Sequence, residues 1–152
     1  MRADEAVRAI LKDNRSGYSF LNLVSTNMYY ELPNKALAAS DFPLLVVQQV
    51  TNSGRAKGLG DYGQINRIPL QIDMYYPLND YETVSTVKYY GYHLLKRLAT
   101  DVRNCLRTYL TTDKTIKGYA ELSDMRMPLE ELNGQPVCRK MIEIEIQQIN
   151  AD

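Results

Sequence analysis

Apolar and polar residues alternate from Ile68 to Pro77. Ile68, Leu70, Ile72, Met74 and Tyr76 share one side of an extended chain, and Gln71, Asp73 and Tyr75 share the other. The pattern predicts a strand with one face in a core. Beyond Pro77 the period lengthens: apolar residues recur at Val84, Val87, Gly91, Leu94, Leu95, Leu98, Val102, Cys105, Leu106 and Tyr109, in steps of three and four. Asn79, with Glu82 three positions later, has the spacing of a capping box. The spacing therefore predicts a helix from Asn79 to about Leu110, about 45 Å long if unbroken, or broken near Gly91. Lys88, Lys96, Arg97, Arg103 and Arg107 fall largely off its apolar stripe.

Ala3 to Leu11 has helical spacing at Ala6, Val7, Ile10 and Leu11, and predicts a short amphipathic helix ending before Asp13. Leu21 to Leu32 reads as one strand interrupted at Ser25-Thr26-Asn27, and Pro33 to Asp41 as a connection. Leu44 to Val50 is branched and apolar between Pro43 and Thr51, which predicts a strand buried on at least one face. From Asn52 to Arg67 the chain carries Gly54, Gly58, Gly60 and Gly63, a long loop of a kind that is seldom idle in a small domain. Thr111 to Gly118 reads as another loop, Tyr119 to Met125 as a strand, and Pro128, Asn133-Gly134 and Pro136 as turns. Ile142, Ile144 and Ile146 alternate with Glu143, Glu145 and Gln147 in a closing strand with one wet face. The sum is an α+β single domain: a mixed, mainly antiparallel sheet of about four strands, backed by a long helix and a short N-terminal helix.

Composition adds constraints. A chain of 152 residues, 45% hydrophobic, supports one domain with a real core. Lys plus Arg and Asp plus Glu both total 18, so bulk charge gives no pull toward nucleic acid or an anionic membrane, although it leaves room for a local patch. Zero net charge also protects poorly against self-association, in keeping with a protein that assembles. Met1 to Arg8 lacks a signal-peptide core, and no window approaches the roughly 18 apolar residues of a membrane span, so the expectation is a soluble cytoplasmic chain. Cys105 and Cys138 lie outside any metal-binding spacing and are expected reduced and partly buried. Tyrosine is abundant, 12 against 2 Phe and no Trp, which suits surfaces that partners cover or rim positions on a monomer's sheet.

No residue cluster announces chemistry. His93 stands alone in its predicted helix, without a second His or a nucleophile at a recognisable spacing. Gly54-Arg55-Ala56-Lys57-Gly58-Leu59-Gly60 lacks the Gly-Lys-Ser/Thr of a phosphate loop and the order of a dinucleotide fingerprint. Glu143 and Glu145 read as the outward face of a strand, and Met125, Met127 and Met141 as core filling. No catalytic, cofactor or metal set is expected. The candidate contact residues are those of the glycine-rich arm and of the polar face of the strand after it: Arg55, Lys57, Asp61, Tyr62, Arg67, Gln71, Asp73 and Tyr75.

Four stretches resemble the tail terminator, or tail completion, family of long-tailed bacteriophages: the helix Ala3 to Leu11, the run Phe42-Pro43-Leu44-Leu45-Val46-Val47, the strand Gln71 to Tyr76 passing into a helix from Asp80, and the closing run Arg139 to Ile146. The resemblance covers most of the chain and is loosest before Pro43 and from Asn52 to Arg67. It implies a sheet backed by helices, assembled into a ring, commonly a hexamer. Such a ring caps the tail tube, halts tube polymerisation and meets the head connector or head-completion protein, with genome DNA passing through without specific binding. It implies a virion protein assembled in the host cytoplasm, with no active site and no membrane partner. The other readings are a different neck protein, a head-closure or tail-adaptor protein, and a small ligand-binding module using the cleft between sheet and helix.

Overall fold

The computed structural model describes residues 2–50, 65–112 and 116–149. Helix α1 (Ala3–Asn14) begins where the Asp4 carboxylate accepts hydrogen bonds from the Arg2 guanidinium at 3.1 and 2.7 Å and from the Glu5 N–H at 2.9 Å. A negative group there complements the unpaired N–H groups of the first turn. Ala3, Ala6, Val7 and Leu11 are its buried stripe.

The stretch expected as one interrupted strand divides differently. Helix α2 (Leu21–Val24) is followed by Ser25 at φ 56° and then by the two-residue strand β1 (Met28–Tyr29). A tertiary contact decides this. Asp101, from the long helix further on, accepts from the backbone N–H groups of Phe20 and Leu21 at 2.8 and 3.2 Å, satisfying donors that a helix start leaves free.

Strands β2 (Leu44–Gln49) and β3 (Ile65–Pro77) pair antiparallel. Strand β3 starts earlier than expected, so Arg67 belongs to the strand and not to the preceding loop. The rest of that loop, with Arg55, Lys57, Asp61 and Tyr62, lies outside the described residues.

The largest correction concerns residues 79–90. The helix does not start at Asn79; instead β4 (Tyr81–Val84) and β5 (Val87–Tyr90) form a hairpin of their own, and helix α3 runs only from Gly91 to Tyr109. Ser85 and Thr86 turn the hairpin at φ 51° and 70°, the double positive φ of a two-residue loop that suits the twist of paired strands. Gly91 then turns the corner into α3 at φ +42°, where a Cβ would lie 3.0 Å from the Leu78 carbonyl oxygen and 3.2 Å from the Cys138 sulfur. Only glycine fits that corner without strain. The family pattern of a strand passing straight into a helix at Asp80 is therefore absent.

Strands β6 (Ile116–Arg126), β7 (Glu130–Leu132) and β8 (Gln135–Ile149) complete the chain, and β6 takes in Ile116 to Gly118, which were expected in a loop. Asn133 and Gly134, at φ 55° and 75°, form the two-residue turn between β7 and β8. The main sheet has the order β1-β2-β3-β8-β6, with β7 also on β8; β1 runs parallel to β2 and the other pairs are antiparallel. Mixed α+β character holds, but with eight strands in two sheets among the described residues where about four were expected.

One sheet face carries the core. Leu70, Ile72, Met74 and Tyr76 of β3 lie beside Leu45 and Val47 of β2 and Ile142, Ile144 and Ile146 of β8, all buried. Helices α1 and α3 pack on this face and on each other. From α3 come Leu94, Leu95, Leu98, Val102, Cys105 and Leu106, each fully buried, as the stripe predicted for this part of the helix. Paired guanidinium and carboxylate groups of Arg107 and Glu121, at 2.6 and 2.8 Å, tie α3 to β6 at the surface. Among the described residues, no helix is long and apolar enough to cross a membrane.

Candidate assembly surface

The polar side of β3 is less open than its alternation suggests. Asp73 is 1% exposed and accepts three hydrogen bonds: from Gln48 Nε2 at 3.1 Å, Gln71 Nε2 at 2.8 Å and Arg139 Nε at 2.9 Å. Arg139 also reaches Glu130 at 2.8 Å and lies 5.9 Å from the centre of the Tyr75 ring. Tyr75 is buried, and burial together with the neighbouring Asp73 charge pushes its phenol up to about 12. Asp73 and Tyr75 are therefore supports within the chain, joining β2, β3 and β8, and leave little surface for the contact that sequence alternation suggested. Their signal was ambiguous because period two separates faces but does not say whether both are covered.

Of the named candidates on β3, Gln71 remains half-buried and Arg67 exposed, with Arg67 Nε 3.9 Å from Glu145 of β8. By register, Gln48, Gln71, Glu143 and Ser123 make a polar row across β2, β3, β8 and β6, all half-buried. Pro69 and Glu145, also half-buried, and exposed Ala120 form the next row. Gln48, Gln71, Glu143 and Glu145 keep part of their hydrogen-bonding capacity for solvent or a partner, whereas the Ser123 hydroxyl oxygen is buried with no hydrogen-bond partner among the described residues.

An exposed aromatic surface lies on the β4–β5 hairpin, which sequence reading placed in a helix. Its inner side is anchored: the Tyr89 ring meets Phe20 edge-on at 4.9 Å and His93 at 4.8 Å. Its outer side carries Tyr81 and Tyr90, cross-strand partners with ring centres 5.1 Å apart, and Lys88 Nζ sits 4.7 Å above the Tyr81 ring. Tyr81, Val87 and Tyr90 are 46%, 47% and 48% exposed. Aromatic and β-branched residues at Tyr81, Thr83, Val84, Thr86, Val87, Tyr89 and Tyr90 were the signal for strands, and helical spacing at Val84, Val87 and Gly91 masked it.

The isolated titratable groups are placed simply. Cys105 and Cys138 are buried free thiols, and burial pushes Cys105 up to about 11 and Cys138 also upward. Neither has the electropositive, exposed setting of a reactive thiol. His93 is exposed beside Tyr89. Among the described residues, no group of three or more His, Cys, Asp or Glu is arranged to hold a metal ion. In comparisons with known proteins, no family model matches the chain and no curated protein matches it in sequence.

Proposed function

We propose that this chain is a structural protein of a long-tailed phage virion, of the tail-terminator kind. Copies close into a ring, six-fold by the family resemblance, that caps the tail tube, stops its growth and offers a surface to the head connector or head-completion protein. The observation that carries this reading is the outer side of the β4–β5 hairpin. A lone two-stranded ribbon has little stability of its own, yet this one leaves Tyr81 and Tyr90 on its outer side nearly half exposed, with Val87 equally exposed at the turn end of the opposite side. Exposed tyrosine is enriched at association surfaces relative to the rest of a protein's surface. The polar rows on the sheet face away from the helices supply further contact area, including Arg67 and Gln71. Function of this kind is association, and needs no catalytic residue, metal or cofactor.

Electron microscopy of the purified protein with tail tubes tests the proposal. A ring on one end of the tube is expected. The pair Tyr81→Thr and Val87→Thr keeps strand-forming side chains but removes the apolar contact area, and is expected to leave a folded protein that does not cap tubes. Unimpaired capping by that variant would remove the hairpin from the interface. Binding to filled heads but not to tubes would favour a head-closure or tail-adaptor protein, and a solitary chain retaining a small molecule would favour a ligand-binding module. Deleting Gly54 to Gly63 tests the expected contacts of Arg55, Lys57, Asp61 and Tyr62: tubes should then fail to join heads.

A further inference from the structure

The chain is neutral overall, but its charge is not evenly spread. Between α3 and the β6–β8 edge lies an open cleft of about 380 Å3 lined by four cations, Lys96, Arg103, Arg126 and Lys140, and a single carboxylate, Asp124. Arg103 and Lys140 both converge on Asp124, Lys140 at 2.6 Å. Lys96 and Arg126 have no carboxylate partner among the described residues. The excess of positive charge is thus local and uncompensated.

The cleft is also held in shape. Tyr92 donates its phenolic proton to the Met127 carbonyl at 2.6 Å, fixing the ring, and the Arg126 guanidinium lies 3.7 Å from the centre of that ring. Stacking on a fixed ring leaves the N–H edge of a guanidinium available for an acceptor in its plane. Burial, with Arg103 and Arg126 beside it, holds the Lys140 ammonium below its ordinary value, so an anion entering the cleft would relieve existing repulsion. The volume corresponds to about a dozen waters at ~30 Å3 each, more room than one small oxyanion needs.

We infer that this cleft binds phosphate groups, through Lys96, Arg126 and Lys140, with Asp124 holding Arg103 and Lys140 in place. A multiply charged tetrahedral anion matches the excess of cations better than a second carboxylate, because it offers acceptors to a guanidinium fork and to separate ammonium groups together. The inference is independent of the tail reading. A free phosphorylated compound and a nucleic-acid backbone present the same chemistry, and two probes separate them.

Calorimetry with inorganic pyrophosphate and fluorescence anisotropy with a short single-stranded oligonucleotide, both at low salt, are the measurements. Lys96→Ala and Arg126→Ala are each expected to weaken binding by about tenfold or more, while Lys117→Ala, an exposed lysine at the far end of β6, leaves it unchanged. Binding of pyrophosphate alone identifies a small phosphorylated ligand. Oligonucleotide binding whose salt slope falls by about 0.7 in Lys96→Ala identifies the backbone. Lys96 is an exposed helix position where alanine is well tolerated, so that variant remains informative if Arg126→Ala loses its fold. Binding of neither probe, or equal weakening by all three substitutions, would overturn the assignment.

Discussion

Replacing Asp73 by alanine tests whether the polar side of β3 is part of the chain's own stability. The substitution removes an acceptor that is 1% exposed and receives three hydrogen bonds, one from a guanidinium. Gln48 and Gln71 are half-buried and recover water in part, so each contributes a loss of about 0.5 kcal/mol. Arg139 keeps Glu130 but loses its second anion while its side chain is only 19% exposed, a loss of about 2 kcal/mol. The sum is about 3 kcal/mol, or a fall in melting temperature of roughly 6–12 °C for a chain of this size. Urea unfolding followed by circular dichroism should show a lower midpoint with an unchanged slope. Asp73→Asn, which retains one acceptor oxygen, should fall between wild type and Asp73→Ala. The double substitution with Arg139→Ala should be less damaging than the two single effects added, because each single change strands the other's partner. A loss below about 1 kcal/mol in Asp73→Ala would refute the reasoning and return Asp73 to the list of partner contacts.

Three further outcomes follow from the backbone and from the buried phenols. Gly91→Ala should cost about 2 kcal/mol by thermal unfolding, since positive φ and the close Leu78 carbonyl act together, and Gly134→Ala, where nothing lies within 4 Å of the added Cβ, should cost less. Ser85→Asn with Thr86→Gly supplies the residues preferred at two successive positive φ values and should raise stability by about 1 kcal/mol; a lower melting temperature would count against the turn geometry. Native Tyr75 titrates near 12 against an ordinary 10.0, and Tyr76 is also raised, so above pH 10 the unfolded chain loses these protons first. The stability they hold is complete below pH 10 and is lost as pH rises toward 12, by up to about 1.4 kcal/mol per pH unit per phenol. Cys105, raised to about 11 from 9.0, begins the decline earlier, and Tyr75→Phe should flatten its upper part when urea midpoints are measured across this range.

The extended core was readable because its strands keep their period for many residues. Leu44 to Gln49, Ile68 to Tyr76 and Ile142 to Ile146 alternate or run apolar long enough to identify strands, and Leu94 to Leu106 long enough to identify a helix. The short elements were not readable, because they depend on distant partners. Leu21–Val24 is helical with an Asp101 side chain at its first N–H groups, and Met28–Tyr29 is a strand through pairing with Leu45 and Val46. The hairpin at 81–90 hid behind a coincidence. Val84, Val87, Gly91 and Leu94 continue a helical spacing, while Ser85-Thr86 lacks the Asn-Gly signature that marks Asn133-Gly134. Among the candidate contacts, the sequence marks Arg67 and Asp73 alike as polar, and could not distinguish the exposed Arg67 from the buried Asp73. It missed the cluster around Asp124 because Lys96, Arg126 and Lys140 come from three elements and converge only in space.

The pairing of β3 with β8 has a consequence for synthesis. Every residue of β3 from Ile65 to Pro77 has a partner in β8, yet the partners come from positions 137 to 149. While the ribosome is still making α3 and β6, the β2–β3 hairpin can close, but the other edge of β3 has no strand beside it. That edge is then a row of unpaired backbone N–H and C=O groups beside the uncovered face of Leu70, Ile72 and Met74, a combination suited to pairing with another nascent chain. The interval between emergence of β3 and emergence of β8 is therefore when this protein is most exposed to misassociation, and slower translation through 91–134 would lengthen it.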